Sequence, residues 1–241
     1  MDMGYLAGID LGTSSVKVLI MDPDGRTLAV SSRGYDVMTP KMSYAEQEPQ
    51  VWWDCTVMAI REAMEKSGIR PEELDGIGLS GQMHGLVAFD RNNEPVMPAI
   101  IWMDQRSAKE TALIKELAGD LLETELLNQP GAGMMICSLL WLKRHRPDVY
   151  DRIAHVMLPK DYIRYRLTGT IGSDFSDACA TLAFSVKGRC WCMELIRRAG
   201  LKEDIWPQVG ESSQAAGHVW AEAAARTGLS GHTRVVYLSL I

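Results

Sequence analysis

Between residues 5 and 32 the chain carries three short extended segments separated by two tight turns, and this pattern limits its possible folds more than any other feature. Tyr5–Asp10 is a short apolar run, Gly12–Ser15 is a turn of small residues, and Val16–Met21 alternates back out. Asp24-Gly25 is a hairpin signal, because glycine accepts positive φ without steric cost, and Thr27–Ser32 supplies a third strand. The chain therefore opens with an antiparallel meander. From Pro49 the period changes. Val51, Trp52, Cys55, Met58, Ala59, Glu62 and Ala63 recur at helical spacing, and Ser67-Gly68 ends the run. This helix crosses back over the sheet to the apolar strands Ile77–Leu79 and Leu86–Phe89, and Arg91-Asn92-Asn93 turns toward Ile100-Ile101-Trp102. The pattern predicts an α/β fold: a mixed sheet of three antiparallel strands followed by parallel strands, flanked by helices.

After Trp102 the chain turns mostly helical. Ser107–Glu125, Ser138–His145 and Trp191–Ala199 carry apolar stripes, and Val219–Arg226 ends at Gly228 as a C-cap. Between them lie Pro159–Leu167 and the small-residue stretch Gly169–Thr181. No repeat, low-complexity linker or heptad seam marks a second domain, so residues 1–241 read as one unit. Trp52, Trp53 and Trp141 lie on helical stripes and read as core.

The charge balance excludes one class of partner. With 25 Lys and Arg against 31 Asp and Glu, and no basic cluster, the chain lacks the footprint of a nucleic-acid binder. Met1–Ile9 has no basic segment ahead of an apolar one, and no apolar run approaches the ~20 residues that span a bilayer, so a cytoplasmic protein without membrane contact is expected. The five cysteines are scattered and read as reduced thiols rather than metal ligands.

The first turn is where chemistry is expected. Ile9-Asp10-Leu11-Gly12-Thr13-Ser14-Ser15-Val16-Lys17 sets an acid at a strand end and glycine and hydroxyls in the following turn. Successive N–H groups in such a turn can cradle phosphate, with Gly12, Thr13, Ser14 and Lys17 as contacts and Asp10 holding a hydrated Mg²⁺. On spacing alone, a tight hairpin with a capping aspartate fits equally well. Neither a Walker loop nor a dinucleotide fingerprint is present.

Three segments together are more specific. The Asp-x-Gly-Thr-Ser-Ser hairpin resembles the first phosphate loop of the actin-like ATPase (ribonuclease H-like) fold. Gly81-Gln82-Met83-His84-Gly85 and Trp102-Met103-Asp104-Gln105-Arg106 resemble the sugar-site segments of the FGGY carbohydrate kinases, with Gln-Met-His-Gly closest to the xylulokinase branch. Leu158–Tyr162, Ser173–Ala178 and Val209–Ser213 continue the resemblance in order. It implies an ATP- and Mg²⁺-dependent ketose kinase, with Gln82, Met83, His84, Trp102, Asp104 and Arg106 as sugar contacts and Asp10 supporting activity. Taken singly, Trp102 also fits a core residue and Asp104–Arg106 a local ion pair beside a helix start. Asp177 matches an acidic family position of unassigned role, while Ser138 and Ala180 replace a lysine and a glycine common in the family.

The resemblance also implies an aspartate base in a Gly-Gly-x-Asp-like turn after a Val-Val strand. Here Val235-Val236 leads to Tyr237–Ile241 and no such aspartate, so this chain is expected to be the sugar-binding half, without its base or the C-terminal nucleotide-binding domain, and inactive alone. Other polyols (ribulose, fuculose, gluconate) and a non-catalytic sugar-binding module remain alternatives. The apolar tail Tyr237–Ile241 predicts association through this end, as in a homodimer, or disorder there.

Overall fold

Alternation of apolar side chains along the first three segments produces three strands, each with one face inward. In a computed structural model, which describes residues 4–237, these are β1 (Tyr5–Leu11), β2 (Ser15–Met21) and β3 (Thr27–Gly34). They pair antiparallel, Asp10 opposite Lys17 and Val18 opposite Ser31. The helix α1 (Pro49–Ser67) starts with proline in its first turn and stops at Gly68, whose φ of 69° closes it with a left-handed cap. It returns the chain to a strand at Leu74–Gly81 that pairs parallel with β1. Arg234–Val236 adds parallel to that strand and Ala215–His218 closes the edge antiparallel, giving a six-stranded mixed sheet. The mixed sheet is the expected one; its antiparallel last strand, short and glycine-containing, gave no periodic signal.

One face of the sheet carries Ala7, Ile9, Leu11, Val16, Val18, Ile20, Ile77 and Leu79, which pack with Trp52, Trp53 and Ile60 of α1 and with Tyr162 and Ile163. The opposite face bears a trough of about 600 Å³ that runs from Leu6 and Met21 to Asp10, Lys17 and Ser80. A second apolar cluster gathers Ile114, Leu139, Leu142, Val156, Leu195 and Ile196 from the helices after residue 107.

Several boundaries differ from the sequence reading. Val87–Phe89 leaves the main sheet and pairs with His155–Met157, while Ala99–Ile100 pairs with Glu46–Gln47. The helix expected over 107–125 runs only from Ala108 to Ala118. Gly119 (φ 53°) stops it before a π-helical turn at Leu122–Leu126. The next starts earlier than expected, at Met135. Trp191 lies in a strand, so its helix is Met193–Arg198. The small-residue stretch contains a short helix, Phe175–Ala180. Trp52 and Trp53 are buried; Trp141 is half-buried, stacked on His145 with centroids 5.1 Å apart. The Arg234–Val236 strand is interior to the sheet, so the apolar tail does not follow an edge strand; residues 238–241 lie outside the described residues.

Ile77 occupies the centre of the sheet at 2% exposure. Ile77→Ala should lower unfolding free energy by about 2–5 kcal/mol in urea titration, through lost burial and the cavity left behind; a loss under about 1 kcal/mol would mean that the sheet is not packed as described.

Candidate functional site

Parallel pairing of β1 with the Leu74–Gly81 strand sets Leu11 beside Gly81, so the loops leaving both strands begin side by side. This is the carboxyl end of the parallel strands, where open α/β sheets bind ligands. The Gln82 N–H donates to the Leu11 carbonyl at 2.7 Å, extending the pairing into the loop. In the first turn the Gly12 N–H donates to the Ser15 carbonyl at 3.0 Å, and the Tyr35 hydroxyl donates to the Gly12 carbonyl at 2.6 Å. The Gly12 amide is therefore committed inside the turn. Burial raises the Tyr35 phenol above its ordinary range, Cys55 and Asp10 adding to the effect, so it remains a donor. Asp10 and Lys17 are exposed cross-strand neighbours, and among the described residues the Asp10 carboxylate has no ion-pair partner.

A buried glutamine that the sequence reading did not name ties the two loops together. Gln47, 2% exposed, donates through Nε2 to the carbonyls of Thr13 (2.8 Å) and Asp36 (3.2 Å). Its Oε1 accepts from Trp52 Nε1 and Gln82 Nε2, both at 3.1 Å. Gln82 Oε1 is buried with no partner among the described residues. Trp102, rather than being core, lies at the surface and donates its indole N–H to Thr13 Oγ1 at 2.9 Å. Its backbone is gripped from behind: Gly133 has φ 84°, and a Cβ there would stand 2.3 Å from the Trp102 carbonyl oxygen. Met83 is 53% exposed. His84 adopts a left-handed φ of 56°, and its Nδ1 lies 2.7 Å from the Ala180 carbonyl oxygen. A carbonyl only accepts, so Nδ1 carries the proton and, in the neutral ring, Nε2 is left as an acceptor.

Asp104 and Arg106 stand behind this surface. The Arg106 guanidinium donates to both Asp104 oxygens and, at 2.6 Å, to Glu46 Oε1; the side chains of Arg106 and Asp104 are 2% and 1% exposed. The Arg106 cation also lies 3.7 Å from the Tyr44 ring centroid, and Asp104 Oδ2 accepts from the Ala45 N–H at 2.7 Å. The pair thus pins residues 44–46, immediately before Gln47. Arg106→Leu would leave two buried carboxylates unpaired, and should cost about 3–5 kcal/mol in chemical denaturation; an unchanged midpoint would contradict this placement.

A second buried cluster also escaped the sequence reading, which had quoted its residues only as family motifs. Lys160 Nζ lies 3.0 Å from Asp161 Oδ1, 3.2 Å from Asp177 Oδ2 and 3.7 Å from Asp174 Oδ1, and donates to the Tyr237 carbonyl at 3.1 Å. Burial pulls the ammonium's pKa down, but Asp161, Asp177 and Asp174 together outweigh it and leave it at about 12. A folded-state pKa above the unfolded value stabilises fully below the unfolded pKa and ceases to do so as pH rises through the folded one. The stability that Lys160 contributes should therefore be level from neutral pH to about pH 10 and fall toward pH 12; the difference in urea resistance between the parent chain and Lys160→Met, followed by circular dichroism against pH, would check this, and a difference that stays constant through pH 12 would contradict it.

Among the described residues no three His, Cys, Asp or Glu side chains converge as a metal cluster, and no helix is long and apolar enough to cross a membrane. Comparison with known proteins places this geometry. Residues 5–239 match the FGGY family of carbohydrate kinases, N-terminal domain. The chain is 36% identical over 233 residues to the xylulose kinase of Bacillus subtilis, covering 97% of this chain and 47% of that protein. It is 37% identical over 237 residues to the xylulose kinase of Lactococcus lactis, covering 97% and 46%. A crystal structure of a xyloylose kinase from Brucella ovis superposes with a TM-score of 0.90 at 36% identity, covering 98% of this chain and 48% of that one. The chain thus spans about half the length of the curated relatives it matches. It belongs to the FGGY family of carbohydrate kinases, matched across its N-terminal domain.

Proposed function

We propose that this chain is the sugar-binding half of an ATP-dependent ketose kinase that converts D-xylulose to D-xylulose 5-phosphate in the cytoplasm. The observation that carries the reading is the Trp102–Thr13 hydrogen bond of 2.9 Å, which joins the phosphate loop to the sugar segment. Likeness to xylulose kinases over nearly the whole chain supports the choice of sugar. A polyol leaving water needs a partner for each hydroxyl and a flat apolar wall. His84 Nε2 and the unpartnered Gln82 Oε1 would accept sugar hydroxyls, and Met83 and Trp102 would form the wall. Asp104 and Arg106, with their charges already paired, would serve the sugar by holding residues 44–47 in place.

Mg²⁺ bound to ATP would neutralise phosphate charge in such a kinase. The exposed Asp10 carboxylate, free of an ion pair among the described residues, suits an ion that keeps several waters and takes one or two carboxylates. The Thr13 and Ser14 hydroxyls and Lys17 would face the phosphates. No acid among the residues of this chain matches the position of a base at the carboxyl end of the Arg234–Val236 strand, so the 241-residue chain alone would bind ketose without turning it over.

Calorimetry with D-xylulose should give millimolar binding to the chain, lost in His84→Ala, with no ADP release in a coupled assay. Equal binding by His84→Ala would move the sugar elsewhere, and robust turnover would show that a base is present in the chain after all.

A further inference from the structure

Lys160, on the helix Pro159–Thr168, is 1% exposed, and the chemistry proposed above does not use it. Its ammonium reaches the Tyr237 carbonyl and the carboxylates of two different elements. Asp161 belongs to its own helix, Pro159–Thr168, whereas Asp174 and Asp177 belong to the start of the six-residue helix Phe175–Ala180. The Lys160 stem also abuts the strand that leads into Gln82, since a Cβ on Gly81 would lie 3.2 Å from Lys160 Cβ.

A helix of six residues is too short to hold itself, because nucleation is unfavourable and few internal bonds follow it. This one is held at both ends. At its start Asp174 Oδ1 accepts from the Asp177 N–H at 3.1 Å, and Asp174 Oδ2 accepts from Ser212 Oγ at 2.7 Å. At its other end the Ala180 carbonyl meets His84 Nδ1 at 2.7 Å. The charges facing Lys160 are Asp161, Asp174 and Asp177; Arg164, fully buried and 3.6 Å from Asp161, is the second cation of the cluster and also donates to the Gly172 carbonyl. Among the described residues Arg164 is paired with Asp161 alone, so without Lys160 the carboxylates of Asp174 and Asp177 at the start of the short helix would lose the cation that faces them.

We infer that Lys160 is a positioning residue for the sugar site: by fixing Asp174 and Asp177 it holds the Phe175–Ala180 helix so that the Ala180 carbonyl keeps the proton on His84 Nδ1 and leaves Nε2 free to accept a sugar hydroxyl. The inference rests on the sugar-site reading for its consequence in binding, but its geometric half needs no ligand.

The test is nitrogen NMR of the histidine rings in the full 241-residue chain, paired with D-xylulose calorimetry. In the parent chain His84 should show the Nδ1–H tautomer. In Lys160→Met it should shift toward the Nε2–H form, and D-xylulose should bind about tenfold more weakly, the loss of one well-placed hydrogen bond. A folded Lys160→Met variant with unchanged His84 signals overturns the inference. If that variant does not fold, Asp177→Asn decides: a shifted His84 tautomer with weaker ketose binding supports the inference, and unchanged His84 signals overturn it. A parent chain that binds no D-xylulose overturns the ketose reading instead, while the His84 signals still decide the role of Lys160.

Discussion

The site depends on one alignment, the parallel register of β1 against the strand Leu74–Gly81. The α1 crossover imposes it, and the register runs from Ala7 opposite Ile77 to Leu11 opposite Gly81. Because strand side chains alternate, a slip of β1 by one residue would turn Ile9 away from α1 and carry Asp10 into the core. The buried row of one face thus fixes the polar ends of the other. Nothing in the loops themselves could do this, since they hold each other only after the strands have brought them together.

Around that alignment two of the chain's buried cations, Arg106 and Lys160, have different tasks. Arg106 is met by Asp104, Glu46 and the Tyr44 ring, a planar group matched by planar partners. Lys160 is met by a ring of carboxylates and a carbonyl, which suits a compact charge with three donors. Each stitches together segments far apart in sequence, and each is costly to break because its partners would be left charged and dry.

Much of the sheet was legible because its strands alternate and its crossover helix is periodic and capped by glycine. The two-residue pairings at Glu46–Gln47 and Ala99–Ile100 were not, since nothing that short has a period. Gln47 and Lys160 escaped for a related reason: their importance lies in partners 34 and 77 positions away, and no local pattern announces them. Asp10 and Thr13 were singled out by the first turn, and Gln82, His84 and Trp102 by family motifs; the structure sets the loops that carry them side by side, through Leu11 beside Gly81 and the Trp102–Thr13 hydrogen bond. Trp102 was left open between core and surface because a tryptophan next to two isoleucines reads either way; its indole is held at the surface by a hydroxyl 89 residues earlier.

His84 and Gly85 both have left-handed backbone, with φ of 56° and 80°. For histidine that conformation is unfavourable on its own, and a residue 96 positions later supplies the bond that holds the ring. Loop closure over such a span is entropically expensive until the intervening chain is ordered. The order of assembly follows: the meander and its crossover can form from near neighbours, whereas the turn at His84 is completed only when the Phe175–Ala180 helix arrives. In folding, the three-stranded meander and its crossover come first, and the turn at His84 is completed later, as is the far half of the sheet, whose Arg234–Val236 strand pairs with Gly76 and Ile77.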